Sequence, residues 1–382
     1  MIKIWSFEFW NAQGTRPSSY EDEVVVQQAF ESNMKVIETL DRIGFEGVFF
    51  SEHHFLAALI PCPNLVIAAA AQRTKRLRLG VMGNVLPFHQ PFRIAEELAM
   101  LDYLCGDRLE IGYASGIAPE YLFVNIPQDE IRPRFTEMLD FMAAARESKL
   151  VSHQGKFYQY DELYSMPRRK RPARRREWMA IYTEGAANAA ARRDMKIACG
   201  YQSVANMTKV FDAYRDQMAA EGRRVSPDDM AIRRSVLIAE SDTEAAELHE
   251  KTLQASRRHQ EEAFLPLADR ITRLLGRAIP EGVAASGVKD AQFASALMGQ
   301  TETKKGFSVF DTGMVDMNDE FIFGSPTTVA ERLIDQCRRT GAGNLCAYHP
   351  ASFDYSELAH HYRLWEQVMP IVASTSLDSI MA

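Results

Sequence analysis

Two imidazoles and a carboxylate follow an apolar stretch near residue 50. Glu52, His53 and His54 come directly after Gly47–Phe50, whose apolar residues predict a short buried strand. Imidazole is the side chain best suited to move protons near neutral pH. Neighbouring strand residues point to opposite faces, so His53 and His54 cannot both face one pocket unless the chain bends. We expect one of them to do acid–base chemistry and the other to be structural.

A metal site is the competing interpretation of these three residues. Zinc usually needs three or four convergent ligands, and the sequence contains no HxH or HExxH motif. Other histidines could join such a site only if folding brought them together; they are His89, His349, His360 and His361. We therefore predict no metal site.

The composition is that of a globular protein with a sizeable core. Of the 382 residues, 46% are hydrophobic and 25% are charged, and the net charge of −7 argues against a general nucleic-acid binder. Met1–Trp5 enters a strand without a signal-peptide core, and no apolar run approaches the ~20 residues of a membrane helix. The cysteines show no paired spacing, which is typical of reduced thiols. They are Cys62, Cys105, Cys199, Cys337 and Cys346. We expect a soluble, cytoplasmic protein.

Strand-like and helix-like segments alternate along the chain. The predicted strands are Lys3–Phe9, Gly47–Phe50, Leu77–Leu86, Leu109–Ala114, Trp178–Tyr182, Ile197–Tyr201, Ala231–Ala239 and Asn344–Tyr348. Each is followed by a predicted helix, and such alternation favours parallel strands joined by crossover helices. Eight units predict an α/β fold of the (β/α)8 TIM type, with active-site groups at the carboxyl ends of the strands. An open doubly wound sheet is the rival, but no Rossmann fingerprint or P-loop is present.

One stretch departs from this rhythm. Residues 263–320, after the seventh strand–helix unit, mix apolar, glycine and charged residues without clear helix caps. Excursions of this length are usually functional loops or disordered segments. We interpret residues 263–320 as a lid or insertion in a single barrel domain, 1–382, rather than as a second domain.

A strongly basic segment precedes the fifth predicted strand. Seven of the nine residues in Arg168–Arg176 are Lys or Arg. A solvated loop is the favoured interpretation, and docking to an acidic partner is the alternative.

Several segments together resemble the bacterial luciferase-like flavin monooxygenases. They are Gly44–Phe55, Leu79–Glu97, Leu101–Gly112, Phe323–Ala330 and Glu366–Pro370. Each motif is weak alone, but the combination is specific and runs nearly end to end. The resemblance implies a TIM-type barrel, a dissociable reduced FMN and O₂ as co-substrate.

The resemblance also implies a chemistry. Reduced flavin and O₂ give a C4a-hydroperoxide, which the protein must keep away from water while it oxygenates a small organic substrate. His53 matches the family's catalytic histidine, and Glu52 is expected to orient the imidazole. Because no dinucleotide fingerprint is present, a separate NAD(P)H:flavin reductase is expected to supply the reduced FMN.

Cofactor and substrate contacts are expected at the strand ends. The cofactor-binding candidates are Phe7, Met82, Gly83, Asn84, Ala114, Ser115, Tyr182, Thr183, Gly185, Ala186 and Ala187. Relatives bind the phosphate where Thr183 can cap a helix, and many carry an arginine where this chain has Ser115. Phe9 and Trp10 are candidates for the substrate wall, while Phe7 could equally fill the core.

Other functions on the same barrel remain open. One is a deazaflavin (F420)-dependent hydride-transfer enzyme, and a second is a non-catalytic flavin-binding subunit. A metal-dependent hydrolase is a third. Because relatives often dimerise, we also predict a homodimer, with the helices Gln27–Ile43 and Asn64–Gln72 as candidate contacts.

Overall fold

The computed structural model describes residues 1–11, 17–55, 58–170, 175–255, 316–349 and 353–375. The strands are β1 (Lys3–Glu8), β2 (Gly47–Phe50), β3 (Arg78–Val85), β4 (Leu109–Ala114), β5 (Leu150–Gln154), β6 (Gln159–Tyr164), β7 (Glu177–Ala180), β8 (Lys196–Cys199), β9 (Met230–Ile238), β10 (Phe321–Gly324) and β11 (Asn344–Tyr348).

Helices connect these strands. They are α1 (Glu23–Ile43), α2 (Pro63–Arg73), α3 (Pro91–Cys105), α4 (Ala118–Phe123), α5 (Gln128–Glu147), α6 (Glu184–Arg192), α7 (Val204–Ala220), α8 (242–255 in its described part), α9 (Met317–Glu320), α10 (Pro326–Thr340) and α11 (Tyr355–Ala373). Among the described helices, none has the length and apolar character needed to span a bilayer.

Eight of the strands close into a parallel barrel. They run in the order β1, β2, β3, β4, β7, β8, β9 and β11, and β11 returns to pair with β1. Trp5 illustrates the closure, because it lies opposite Gly47 of β2 on one side and Cys346 of β11 on the other. The prediction of a TIM-type barrel is confirmed.

Two features were not predicted. Strands β5 and β6 form an antiparallel hairpin outside the barrel, and β10 pairs with the carboxyl-terminal half of β9. The residues of the hairpin strands are largely exposed, and polar and apolar side chains do not alternate regularly along them. The sequence therefore gives no clear strand signal there. The insertion predicted at 263–320 lies outside the described residues as far as position 315; its end forms α9, directly before β10.

Aromatic side chains fill the barrel below the carboxyl ends of its strands, which form its upper end. Trp5 stacks on Phe49 with ring centroids 4.7 Å apart, and Trp178 meets Phe49 edge-on at 5.6 Å. A side chain on Gly47 would place its Cβ 2.3 Å from the Trp5 ring, so only glycine fits there. Among the described residues the lumen is therefore packed, and the active sites of such barrels lie at the carboxyl ends of the strands.

The basic segment before β7 is a structural element. Arg169 and Arg176 are buried, and both form ion pairs with the fully buried Asp102 of α3. Arg175 pairs with Asp194 at 3.0 Å and also with Asp229. The prediction of a solvated loop is thus wrong for Arg169 and Arg176, and docking of the rest of the segment to an acidic partner stays a prediction.

Asp102→Asn should destabilise the protein strongly. The substitution leaves the buried Arg176 without its ion-pair partner, whereas Arg169 keeps Glu177 at 2.8 Å, and breaking a buried ion pair typically costs ~3–5 kcal/mol. The free energy of unfolding from chemical denaturation measures the loss. Asp140→Asn is the matched control, because Asp140 is exposed and pairs with Arg193 at the surface, where such pairs contribute ~1 kcal/mol or less. Equal effects of both variants would contradict the assignment.

A pair of histidines is buried between the barrel and α11. His349 Nδ1 lies 2.9 Å from His361 Nε2, and His361 Nδ1 accepts a hydrogen bond from the N–H of Ile238. Burial lowers the pKa of His361 to about 3 and lowers the pKa of His349 well below its usual value. Both imidazoles are therefore neutral in the folded protein.

This pair should make the protein sensitive to acid. Unfolded histidines take up protons below their ordinary pKa of about 6.5, whereas the folded pair does not. Stability is unaffected above that pKa, and it falls as the pH drops below it, by up to ~1.4 kcal/mol per pH unit for each histidine. His361→Gln should reduce the slope of unfolding free energy against pH between pH ~7 and ~5.

Two comparisons keep that measurement specific. Burial raises the pKa of Glu8 to about 7, so Glu8 contributes a slope of unfolding free energy against pH of the opposite sign. This contribution is the same in all variants and cancels in the comparison. His360→Gln is the control, because His360 is a half-exposed neighbour on the same helix. Identical slopes in the His361 and His360 variants would show that the buried pair does not cause the acid sensitivity.

Candidate functional site

His53 lies at the upper end of the barrel, just after β2. Its Nδ1 is 3.1 Å from Glu120 Oε1, and its ring stacks on Phe9 at a centroid distance of 5.6 Å. The Glu120 side chain is 1% exposed, whereas that of His53 is 25% exposed. Among the described residues His53 Nε2 has no hydrogen-bond partner. The arrangement is a carboxylate-backed imidazole with one nitrogen free for proton transfer.

The carboxylate that backs His53 is not the predicted one. Glu52 Oε1 instead lies 3.0 Å from His54 Nε2 and 2.9 Å from His89 Nε2. Burial alone would raise the pKa of Glu52, but the hydrogen bonds from both imidazoles outweigh it and the pKa is lowered. Burial opposes protonation of His89, yet its bond to Glu52 raises the pKa of that imidazole. Glu52 therefore fixes His54 and His89, and its predicted role toward His53 is wrong.

Glu120 was missed because it is distant in sequence. It lies 67 positions from His53, in the six-residue helix α4. Its Oε1 also accepts the backbone N–H of His54 at 2.7 Å, so one oxygen holds both the imidazole and the turn after β2. The only sequence signal is a proline followed by an acid, which is typical of a helix start and says nothing about its partner.

The end of β3 packs against β4. The peptide bond between Met82 and Gly83 is cis. A Cβ on Gly83 would lie 2.6–2.9 Å from the backbone of Tyr113 and Ala114, so β4 is the close neighbour that requires glycine here. Asn84 is fully buried, donates to the carbonyl of Gly112 at 2.9 Å and accepts from Asn64. Its side chain thus links β3 to β4 and is not placed to contact a cofactor.

Residues at the end of β4 and the start of α6 border the same opening. Ala114 and Ser115 are half-buried. Thr183 caps α6, since its Oγ1 accepts from Ala186 N at 3.3 Å, and its carbonyl accepts from Ala187 N. Ala187 is fully buried, so it is not available for the predicted cofactor contact. Space is open around Gly185, where an added Cβ would meet no atom within 4 Å.

The aromatic residues in β1 and directly after it divide between the opening and the core. Phe7 and Phe9 lie side by side, 5.2 Å apart, and Phe9 also meets Tyr348 edge-on. Trp10 is only 2% exposed and packs edge-on against Phe30 of α1. Its φ of +46° ends the strand alternation and turns the indole away from the opening. The prediction of Trp10 as a substrate-wall residue is therefore wrong.

No group of three or more histidine, cysteine, aspartate or glutamate side chains in the described ranges is arranged to hold a metal ion.

Comparisons with known proteins bear on this site. A family model described as luciferase-like monooxygenase matches residues 9–343. 4-Hydroxyprotoasukamycin monooxygenase from Streptomyces nodosus subsp. asukaensis is 38% identical over 110 residues, covering 28% of this chain and 30% of that protein. The oxygenase component of flavin-dependent trigonelline monooxygenase from Acinetobacter baylyi is 30% identical over 150 residues, covering 38% and 41%. The match thus spans less than half the length of these two relatives.

Solved structures share the fold over nearly the whole chain. The oxygenating constituent of 3,6-diketocamphane monooxygenase from Pseudomonas putida, solved in complex with FMN, matches with a TM-score of 0.70 and 20% identity over 98% of both chains. An F420-dependent secondary alcohol dehydrogenase matches with a TM-score of 0.63 and 14% identity, over 97% of this chain and 99% of that one. At these identities the likeness concerns the fold alone.

Proposed function

The chain belongs to the luciferase-like monooxygenase family, and from this premise we propose that it uses reduced FMN and O₂ to add one oxygen atom to a small organic substrate. The observation that carries the proposal is His53, which is held by a buried carboxylate and is part-exposed at the carboxyl ends of the barrel strands. A reduced flavin, when bound, supplies the electrons and the site of oxygen activation.

The residues at the opening fit an FMN. The N–H groups of Glu184 and Gly185 open helix α6 without helical partners, and a helix start of this kind favours a phosphate. Ser115 offers a hydroxyl at the position where many relatives carry an arginine. Glu184 is exposed, so its carboxylate can turn to solvent, away from a phosphate. Phe7 offers an aromatic surface for a planar ring. These residues would hold the cofactor.

The chain itself contributes proton transfer and shielding. Glu120 holds His53 in one orientation, with Nδ1 toward the carboxylate and Nε2 available to give or take a proton. The aromatic packing in the lumen places apolar side chains directly below the opening, where they would shield a bound cofactor.

Reduced FMN must come from outside. The sequence has no dinucleotide-binding fingerprint, and one relative is named as an oxygenase component. We therefore propose that a separate NAD(P)H:flavin reductase supplies the reduced cofactor.

Anaerobic titration with reduced FMN tests the proposal. We expect saturable binding, followed by consumption of O₂ on aeration and a return of oxidised-flavin absorbance slower than for free FMN. The packed lumen is the physical reason for this protection.

Other outcomes separate the rival functions. Tight binding of reduced F420 with no O₂ uptake would indicate hydride transfer instead. Flavin binding with reoxidation no different from free FMN would indicate a non-catalytic subunit. Failure to bind either redox form of FMN would remove the proposal altogether.

His53→Gln should slow single-turnover reoxidation of bound FMN by about 10²-fold or more, because acid–base groups contribute ~10²–10⁴-fold. Glu120→Gln should have a smaller effect and change the pH dependence of the rate, since Glu120 acts through His53. FMN affinity should stay within a few-fold in both variants, as neither side chain contacts the α6 start. His360→Gln is the control. A His53 variant with an unchanged rate and pH profile would refute the role.

We also propose a homodimer. Besides the two predicted helices, α3 exposes apolar side chains, namely Phe92, Met100, Tyr103 and Leu104, and α2 exposes Leu65. Covering this apolar face with a second copy would remove it from water. Met100→Glu/Leu104→Glu should give a monomer in light-scattering mass measurements. Val24→Glu, which changes an exposed apolar residue of α1, should leave the dimer intact, and the reverse result would move the interface to α1.

A further inference from the structure

A guanidinium group lies inside the opening, on the side away from β2. Arg233 shares its face of β9 with Ala231, which belongs to the packed lumen. The side chain of Arg233 is 7% exposed, and its guanidinium carbon lies 4.2 Å from the Tyr201 ring centroid and 4.7 Å from that of Tyr348. Both tyrosines are half-buried. The two rings hold the guanidinium in one place.

The acidic residues near Arg233 do not fully balance the positive charge there. Glu320 forms an ion pair with Arg233 and lies 3.7 Å from Arg234. Asp319 accepts the N–H of Val204 at 2.7 Å and interacts electrostatically with both Arg234 and Arg332, so three guanidiniums share two carboxylates. Ser235 donates to Glu320 at 3.1 Å and brings no charge.

One polar atom of Arg233 takes part in none of these contacts. Its Nε is buried and has no hydrogen-bond partner in the described residues. A buried donor of this kind is costly unless something accepts from it. Arg234, by contrast, points to the outer layer, where its Nε donates to Gln336 at 2.6 Å.

Aromatic rings connect this guanidinium to the imidazole. Tyr348 lies against both Arg233 and Phe9, and Phe9 stacks on His53. The opening therefore has a cationic group and an acid–base group joined by one apolar wall.

We propose that Arg233 binds the carboxylate of an organic acid substrate, whose apolar part lies along Tyr348 and Phe9 toward His53. This inference deepens the proposed function and rests on it. A carboxylate would accept from the unpartnered Nε and balance the shared charge of Arg233 and Arg234, as charge-assisted hydrogen bonds do.

Probe binding to the FMN-loaded protein tests the proposal. Benzoate and hexanoate, each paired with its neutral amide, are titrated by calorimetry. We expect both acids to bind saturably and at least ~10-fold more tightly than their amides, which is the range of a hydrogen bond to a charged group. Arg233→Gln should abolish the preference for the acids. Acid and amide binding equally, or no binding of either acid, would overturn the proposal.

Two further variants guard against misfolding. Arg233→Gln leaves Glu320 without its partner, so Arg233→Gln/Glu320→Gln removes both charges, and Arg233→Lys keeps the charge but lacks Nε. Both should lose most of the acid preference while their melting temperatures stay near that of the wild type. Arg193→Gln, at the surface, is the control. A preference that survives in the folded double variant would overturn the proposal.

FMN affinity, measured in the same variants, distinguishes failure of the substrate assignment from failure of the proposed function. We expect it to change less than ~3-fold, because the carboxylate and not the flavin contacts Arg233. A loss of FMN binding that parallels the loss of Arg233 would assign the guanidinium to the cofactor and overturn the substrate assignment. Acid binding that depends on Arg233 in a protein without FMN affinity would instead refute the proposed function and leave the anion site standing.

Discussion

The stacking of Trp5 on Phe49 inside the barrel decides where chemistry can occur in this protein. Together with Trp178 the two rings fill the lumen, and Gly47 is without a side chain because the indole of Trp5 occupies that space. The filled lumen leaves the upper strand ends as the place where a ligand can meet buried side chains. Turns after β1, β2, β4 and β7 all reach that edge, so groups far apart in sequence become neighbours there.

The buried charged side chains described here form small groups, in each of which a carboxylate is paired with arginine or histidine side chains. Asp102 sits between two arginines beside β7, Glu52 between two imidazoles, and Glu320 between two other arginines. Each group withdraws ions from water, which is tolerated only when hydrogen bonds and counter-charges replace the lost hydration. Near the opening each imidazole is paired through one nitrogen, His53 with Glu120 and His54 with Glu52, and the two differ in that the His53 ring stacks on Phe9.

Local patterns predicted the barrel well and the site only in part. Strands β2 and β11 were placed at their observed bounds, because a strand buried on both faces is a continuous apolar run. The predicted residue His53 does lie at the strand ends, but the partner expected for it, the adjacent Glu52, is wrong, because Glu120 of α4 holds its ring. Trp10 was misplaced because a positive φ interrupts the alternation. Arg233 was overlooked because a charged residue in the middle of a strand has no local partner. Each failure concerns contacts that depend on folding and not on neighbours along the chain.

Glu120 gives the acid–base centre a mechanical link to its surroundings. The same oxygen accepts from the His53 side chain and from the His54 backbone, so α4 and the segment after β2 are tied at a single atom. Displacement of α4 by an arriving molecule would pull on both bonds together. Any shift of α4 would therefore reorient the imidazole and move the turn after β2 together.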